Sequence, residues 1–170
     1  MNKNQQFSEI VRNNSERIFG LFMKMTGNHD EADELTQRTF LKVYNNLESF
    51  RGDAALSTWI YRIAINIGKN YLRKKKARKF IGLDKIMDLA RNDSNINNMN
   101  NMKYKLQKAI EKLSPKQNMV VLLRGYQGLP YKKIGAIMGI SENSAKVNFS
   151  HALNNLEKYL SKMGVNYEDM

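Results

Sequence analysis

The chain has 170 residues, of which 42% are hydrophobic and 26% charged, and its formal net charge is +12. These fractions are typical of a globular protein, and no apolar run approaches the roughly 20 residues that a membrane-spanning helix needs. The chain has no cysteine, which excludes disulfides, thiolate metal sites and a cysteine nucleophile. The first residues lack the apolar stretch of a secretory signal, so we expect a cytoplasmic protein without membrane insertion.

The positive charge is concentrated in the two ends of the chain. Lysine and arginine outnumber aspartate and glutamate by 15 to 8 in residues 1–79 and by 10 to 5 in residues 105–170, whereas residues 80–104 contain three of each. Such a surface attracts polyanions, of which nucleic acid is the first candidate and an acidic membrane surface the second. A general enrichment of lysine would produce the same counts, so charge alone leaves the partner open.

Apolar residues recur at helical spacing from Phe7 to about Phe80, and no alternating strand pattern competes with them. We predict three or more amphipathic helices, punctuated at Gly27 and Gly52, with Ser57 and Thr58 as candidate caps of the third. The apolar positions are Phe19, Phe22, Met23, Ala32, Leu35, Phe40, Val43, Tyr44, Leu47, Trp59, Ile60, Ile63 and Ile67.

Residues 81–104 are rich in asparagine and have too few large apolar side chains to bury a face. We predict that they form a flexible linker between a domain of residues 1–80 and a domain of residues 105–170. The expected fold class is therefore all-α, with two small helical domains.

The second domain carries strong signals for helix starts. Leu106, Ile110 and Leu113 form a short apolar stripe that ends before Ser114-Pro115-Lys116-Gln117. Serine as the cap, proline at the first helical position and glutamine three residues after the serine predict a capping box. The helix that begins here is predicted to extend to about Tyr126, with Met119, Val120, Leu122 and Leu123 on its apolar face.

A helix-turn-helix is predicted near the C-terminal end. Pro130 is placed in the first turn of a helix that Gly139 ends, and Ser141 caps the next helix. Gly135 and Ala136 are small residues where the two helices pack closely, as the motif requires. The apolar positions are Ile134, Ile137 and Met138 in the first helix and Ala145, Phe149, Ala152, Leu153 and Leu156 in the second.

The second helix of this motif would enter the major groove of DNA. Asparagine can pair with adenine, lysine can reach guanine or phosphate, and valine can contact a thymine methyl group. Nearby basic side chains can hold the phosphates. The alternative is a short helical hairpin that binds nothing, and His151 alone fits a surface residue better than a metal ligand. The predicted duplex-binding set is Arg124, Lys132, Lys133, Ser141, Asn143, Ser144, Lys146, Val147, Asn148, Ser150 and His151.

Three segments of the chain resemble one protein family. FRGDAALSTWIYRIAINIGKNYLRKKK (residues 50–76) is similar to the promoter-melting segment of extracytoplasmic-function sigma factors. DEADELTQRTFLKVYNNLESF (residues 30–50) resembles their helix that docks on the clamp of the polymerase beta-prime subunit, and residues 113–156 resemble their C-terminal promoter-recognition domain. The resemblance implies a non-enzymatic factor that binds promoter DNA and core RNA polymerase, at the beta-prime clamp and the beta flap. It also implies an anti-sigma partner, and no cofactor, metal or catalytic residue.

The resemblance assigns polymerase docking to one acidic helix. Arg38 stands where the family usually has glutamate, which puts one polar contact in doubt. The alternative is that the acidic residues only complement the dipole of their own helix. The predicted docking set is Asp30, Asp33, Glu34, Gln37 and Arg38.

Promoter opening requires that unpaired bases be captured, and unstacking a base costs a few kcal/mol. Aromatic stacking returns about 1–3 kcal/mol per base, and a basic groove can follow the phosphates. By resemblance, Asn66 and the loop of residues 50–58 form the pocket for a flipped base of the minus-ten element. Trp59 fits a wedge against the duplex as well as it fits core packing, and the basic run of residues 73–79 could be only a solvated helix end. The predicted set is Phe50, Arg51, Trp59, Tyr61, Arg62, Asn66, Lys69, Asn70, Arg73 and Lys74.

The C-terminal domain departs from the family at four positions. The family usually has arginine where this chain has Asn148 and His151, and often has acidic residues where it has Lys132 and Lys133. These changes imply either a different preference for the minus-thirty-five element or a weaker grip that the two lysines offset.

Three functions other than that of a sigma factor are compatible with parts of the sequence. A stand-alone operator-binding regulator would bind duplex tightly without polymerase. An enzyme acting on nucleic acid would need a metal-ligand cluster or a glycine-rich phosphate loop, and neither is present in the sequence. An antagonist that binds polymerase without initiating would share every docking residue, so only transcription separates it.

Overall fold

The computed structural model describes residues 2–80 and 102–165, and every regular element in these residues is helical. The all-α prediction is confirmed. Most of the predicted linker lies outside the described residues, and its last three residues, 102–104, belong to a helix. The helices are α1 (Lys3–Thr26), α2 (His29–Asn46), α3 (Leu56–Phe80), α4 (Met102–Lys112), α5 (Pro115–Val121), α6 (Tyr131–Met138) and α7 (Glu142–Lys162).

Two short elements complete the description. A 3-10 turn, Leu47–Ser49, follows α2, and a π-helical turn, Leu122–Tyr126, continues α5. The predicted helix that ends at about Tyr126 is therefore α5 together with this turn.

Side-chain caps fix where several helices begin. Ser114 and Gln117 form the predicted capping box, and Ser141 accepts a hydrogen bond from the Ser144 backbone N–H at 3.0 Å, as predicted. The capping role predicted for Ser57 and Thr58 is wrong, because α3 begins at Leu56 and both residues lie inside its first turn. Pro130 is the residue before α6 rather than part of its first turn.

The first domain consists of α1, α2 and α3 packed on one another. Its core side chains include Phe22 of α1, Leu35 and Val43 of α2, and Ile60 of α3, all at most 2% exposed. The hydroxyl group of Thr39 is also buried and donates a hydrogen bond to the Leu35 carbonyl at 2.8 Å. Because the hydroxyl is hydrogen-bonded, its burial has only a small free-energy penalty.

The second domain consists of α4 to α7. Asn118 is buried in α5, and its side-chain nitrogen donates to the Ile110 carbonyl of α4 at 3.1 Å, which ties the two helices together. Leu106 and Leu153 were predicted on apolar faces, but they are 41% and 46% exposed. Both predictions are wrong, because the buried face of each helix is narrower than the apolar spacing suggests. The buried residues are Ala109 and Ile110 of α4 and Ala152 and Leu156 of α7.

The two domains share one apolar core, which the sequence did not predict. Met119, Leu123 and Ile137 of the second domain belong to the same buried cluster as Phe22 and Met25 of the first. The helices approach closely at Gly68 of α3, where a Cβ atom would lie 3.1 Å from the Met25 sulfur and 3.2 Å from the Met119 methyl group. The domains are thus in direct contact in this arrangement.

We expect Gly135→Ala to destabilise the second domain. A Cβ atom at this position would lie 2.7 Å from the Ile140 backbone oxygen, which cannot move away as a flexible side chain could. Overpacking of this kind costs about 1–3 kcal/mol. Urea unfolding should show the loss.

The matched control is Gly125→Ala, where an added Cβ atom meets nothing within 4 Å. It should leave the free energy of unfolding unchanged or slightly higher, since alanine is the better helix former. Equal effects of the two substitutions would contradict the close approach of α6 to the turn.

Candidate nucleic-acid and protein interfaces

One face of α2 is polar and open to solvent. Gln37 donates to the Asp33 carboxylate at 2.6 Å, and Arg38 lies 3.5 Å from the Glu34 carboxylate. Residues at these spacings share one helix face, so the five predicted docking residues lie together on it, with Asp30 at its start. The carboxylates extend past the first turn of α2, where the helix dipole acts most strongly.

Leu41 belongs to the same face and was missed by the sequence analysis. It is 62% exposed, the largest exposed fraction among the large apolar side chains that the structure describes. Protein interfaces combine an apolar core with a polar rim, and Leu41 with its charged neighbours has this arrangement on a small scale. The signal was present in the sequence, because Leu41 falls outside the buried stripe that includes Leu35 and Val43.

Glu31 is not part of this face. Its carboxylate accepts a hydrogen bond from the Tyr71 hydroxyl at 2.6 Å and lies 3.8 Å from the Lys75 ammonium group. These contacts join the start of α2 to α3. The acidic residues of α2 are therefore divided: Asp30, Asp33 and Glu34 are exposed, whereas Glu31 forms a structural contact.

A stripe of polar and basic side chains follows the exposed side of α3. Arg62, Asn66, Asn70 and Arg73 are all exposed, and their spacing of four, four and three residues places them in one row. Arg73 donates a hydrogen bond from Nη2 to the Asn70 amide oxygen. Half-buried Lys69 adjoins the row, and exposed Lys74 continues its positive charge.

Two aromatic rings lie at the start of this stripe. The Phe50 and Trp59 ring centroids are 5.0 Å apart, with the planes inclined by 37°. Both side chains are half-buried, so Trp59 packs against the core and still presents part of its ring, while Arg51 beside them is exposed. An unpaired base could stack on the exposed part of this pair.

Two of the predicted strand-binding residues contact the second domain instead. Tyr61 is 4% exposed, and its hydroxyl donates to the Gln127 amide oxygen at 2.8 Å. Burial raises the pKa of Tyr61, and the positive charge of Arg17 opposes this rise. Arg62 donates from Nε to the Ala136 carbonyl of α6 at 2.9 Å. In this arrangement the Tyr61 hydroxyl and the Arg62 Nε–H group are engaged by the second domain, although the rest of the Arg62 side chain stays exposed.

The second helix of the helix-turn-helix, α7, presents an exposed face at its start. Val147 is 46% exposed, and Lys146 lies 3.1 Å from the Glu142 carboxylate. The exposed members of the predicted set on α7 are Asn143, Lys146, Val147, Ser150 and His151.

Three other members of that set hold the motif together. The Ser141 hydroxyl donates to the Ser144 hydroxyl at 2.9 Å in addition to its capping role, and Asn148 donates to the Ser144 carbonyl at 2.6 Å. These bonds order the first turns of α7. Such residues position the exposed face rather than forming it.

The predicted phosphate-binding side chains of the second domain differ in whether other residues of the chain already hold them. Arg124 donates to the Leu129 carbonyl at 3.2 Å and lies 4.8 Å from the centre of the Tyr131 ring, so it stabilises the loop before α6. Lys132 is exposed and Lys133 is half-buried, and neither forms an ion pair with a residue in the described part of the chain. These lysines can reach phosphates.

Residues 2–80 and 102–165 contain no group of His, Asp or Glu side chains that could hold a metal ion. Within the same residues, no helix is both long enough and apolar enough to span a bilayer.

Comparison with known protein families gives two matches in chain order. The model of sigma-70 region 2 matches residues 10–78, and that of sigma-70 region 4 matches residues 103–156. The first match contains α2 and most of α3, and the second contains the helix-turn-helix. The chain therefore contains two separate family segments, in the order region 2 and then region 4.

Relatives of known function are similar over most of the chain. It is 31% identical to the ECF RNA polymerase sigma-E factor of Escherichia coli K12, covering 78% of this chain and 74% of that protein. It is 26% identical to the ECF sigma factor SigE of Mycolicibacterium smegmatis, covering 92% of this chain but only 62% of that longer protein.

A solved structure shares the fold. The sigma factor RpoE of Bartonella quintana, crystallised with the anti-sigma factor NepR, is similar with a TM-score of 0.65 and 21% identity. The similarity covers 92% of this chain and 98% of that one.

We expect the contact between Tyr61 and Gln127 to depend on pH in the alkaline range. An exposed tyrosine has a pKa near 10.0, and the folded protein raises it. The folded state therefore binds the phenolic proton more tightly than the unfolded state does. The resulting contribution to the free energy of unfolding is complete below pH 10 and is lost as the pH rises through the pKa of Tyr61 in the folded protein.

The difference in free energy of unfolding between wild type and Tyr61→Phe should be about 1 kcal/mol at neutral pH, the worth of one hydrogen bond. It should shrink above about pH 10. Urea unfolding between pH 8 and pH 11 measures it. A difference that stays constant over this range would contradict the burial of the hydroxyl.

Proposed function

The chain belongs to the extracytoplasmic-function sigma factors of bacterial RNA polymerase, and we propose that it binds core polymerase and directs promoter-specific initiation without catalysing a reaction itself. The observation that carries this proposal is the polar stripe on α3, which combines basic side chains, amides and an aromatic pair on one exposed surface. Single-stranded nucleic acid is bound by this combination of side chains. The protein would act in the cytoplasm, where polymerase is found.

The exposed face of α2 is the proposed docking site for the beta-prime clamp. Its carboxylates and amide supply polar contacts at the rim, and Leu41 supplies an apolar centre. Interfaces commonly have this division, because binding energy concentrates in a few central residues. The ion pair between Arg38 and Glu34 leaves the Glu34 carboxylate partly neutralised, which is the consequence of the departure from the family at Arg38.

The α3 stripe is the proposed site for the melted minus-ten strand. Asn66 and Asn70 provide hydrogen-bonding amides one turn apart, and Arg73 and Lys74 provide charge for the phosphates. The pair of Phe50 and Trp59 offers a surface on which a base can stack. The first domain, residues 1–80, would thus dock on polymerase and hold the open strand.

The start of α7 is the proposed reader of the minus-thirty-five duplex. Asn143 and Val147 are exposed where base edges would lie in the major groove, and Lys132 of the preceding helix can reach a phosphate. The second domain, residues 105–170, would carry this function and contact the beta flap. Residues 81–104 would connect the two.

The two domains must separate for both sites to work together. By their names, the minus-ten and minus-thirty-five elements are centred about 25 base pairs apart, which is about 85 Å of B-DNA at about 3.4 Å per base pair. The α3 helix, with 25 residues, is about 38 Å long, and α6 packs directly on it. Separation would also free Tyr61 and Arg62, two predicted strand-binding residues. We call the arrangement in which the two domains are in contact the closed arrangement. It would therefore be the arrangement of the protein before it engages a promoter.

An anti-sigma factor is a proposed partner, since RpoE of Bartonella quintana was crystallised with one. The exposed apolar side chain of Leu41 on the docking face would be a contact for such a protein. An anti-sigma factor bound there would compete with polymerase.

We expect Asp33→Ala/Gln37→Ala to reduce initiation about tenfold or more in transcription with bacterial core polymerase on a promoter library. The two side chains bond to each other on the exposed docking face, so the variant removes two polar contacts without touching the core. Run-off transcripts and polymerase affinity measure the effect.

Glu9→Ala, which removes an exposed carboxylate from α1, serves as the control and should initiate as wild type does. Initiation that is equal in the double variant would reject the α2 face as the docking site. Failure of the wild-type protein to initiate, together with tight duplex binding by the protein alone, would identify a stand-alone regulator instead.

Domain separation can be measured because the chain has no cysteine, so introduced cysteines label cleanly. With spin labels at Ser8→Cys of α1 and Lys158→Cys of α7, we expect one defined distance in the free protein and a different, longer distance on a promoter with polymerase. Labels at Ser8→Cys and Lys42→Cys, both in the first domain, should show no change. An unchanged distance between the domains would contradict the proposed opening.

A further inference from the structure

A cavity of about 400 Å³ lies between the two domains, beside the polar stripe of α3. Asn66, Lys69, Asn70 and Arg73 line it from α3, and Lys116 in the first turn of α5 lines it from the second domain. Three cations and two amides therefore face one space that neither domain forms alone. Among the described residues that line this space, none is acidic or aromatic.

The positive charge in the cavity has no acidic counterpart. Lys69, Arg73 and Lys116 take part in none of the ion pairs between residues that the structure describes. Lys69 is half-buried, and its pKa is lowered first by burial and then by the charges of Lys116 and Arg73. Cations placed this close repel one another, so the closed arrangement carries an electrostatic cost that a bound anion would remove.

The hydrogen-bonding groups of the cavity suit phosphate oxygens. Arg73 is oriented by its bond to the Asn70 amide oxygen, and Asn66 lies one turn earlier on the same row. Guanidinium and ammonium groups form strong charge-assisted bonds with phosphate, and amide N–H groups add weaker ones. Two linked phosphates carry enough negative charge to match three cations, whereas a single phosphate does not.

We propose that this cavity binds a diphosphate group, held by Lys69 and Arg73 of the first domain and Lys116 of the second. The group would come either from inorganic pyrophosphate or from a nucleoside diphosphate. Since no aromatic ring lines the cavity to stack on a base, inorganic pyrophosphate is the favoured source.

Binding at this site stabilises the closed arrangement, because the ligand needs side chains from both domains. The same α3 side chains are the proposed holders of the minus-ten strand, so a bound diphosphate and a captured strand exclude each other. This consequence rests on the proposed function, whereas diphosphate binding itself does not.

The test is isothermal titration calorimetry of the full chain with pyrophosphate, in buffers of matched ionic strength. We expect saturable binding at one site in wild type and binding about tenfold or more weaker in Lys116→Gln, since one charge-assisted contact is lost. The matched control, Lys42→Gln, removes one exposed positive charge from α2 outside the cavity and should bind as wild type does. Circular dichroism checks that both variants fold.

Parallel titrations with adenosine diphosphate and with sulfate identify the source of the anion. Tighter binding of the nucleotide than of pyrophosphate would assign the site to nucleotides, and weaker binding would assign it to pyrophosphate. Equal affinity for sulfate, equal pyrophosphate binding by Lys116→Gln and wild type, or the absence of saturable binding would each overturn the proposal. None of these results depends on polymerase or promoter DNA, so they leave the proposed function to its own test.

Discussion

The packing of α3 against the second domain determines which surfaces of this protein are open. The helices can approach because residue 68 has no side chain, and the sulfur of Met25 and the methyl group of Met119 occupy the space that a Cβ atom would crowd. Around this apolar contact, Tyr61 and Arg62 add hydrogen bonds to Gln127 and to the Ala136 carbonyl. The polar face of α2 and the start of α7 remain exposed, whereas part of the α3 surface is covered.

Local chemistry made much of the fold predictable from the sequence. Ser114 with Gln117 and Ser141 with Ser144 satisfy the free N–H groups of their helices, and this requirement depends only on residues a few positions apart. Gly139, in the left-handed conformation at φ 68°, ends α6 for an equally local reason. The predicted helix start at Ser57 and Thr58 failed because the Ala55 carbonyl, one residue before Leu56, already accepts the first hydrogen bond of the helix, from the Trp59 backbone N–H at 3.1 Å.

Contacts between distant residues could not be predicted in the same way. An apolar stripe indicates that a helix face is buried but does not identify the element that covers it. From the sequence, Met119 and Ile137 are therefore predicted only as core residues of their own domain, whereas they belong to the core that both domains share. Tyr61 has the side chain expected for base stacking, and only its contact with a residue 66 positions away shows that it is buried. The cavity beside Lys116 was hidden for the same reason, because two domains form it.

The bond from Arg62 to Ala136 ends on a backbone carbonyl, and this has an evolutionary consequence. A main-chain acceptor is present whatever residue occupies position 136, provided that α6 keeps its course. The exposed side chains of the helix-turn-helix can therefore change without loss of this contact to α3. Substitutions on the exposed surface of α7 and retention of the contact between the two domains are then independent, because the first involve side chains and the second depends on a main-chain oxygen.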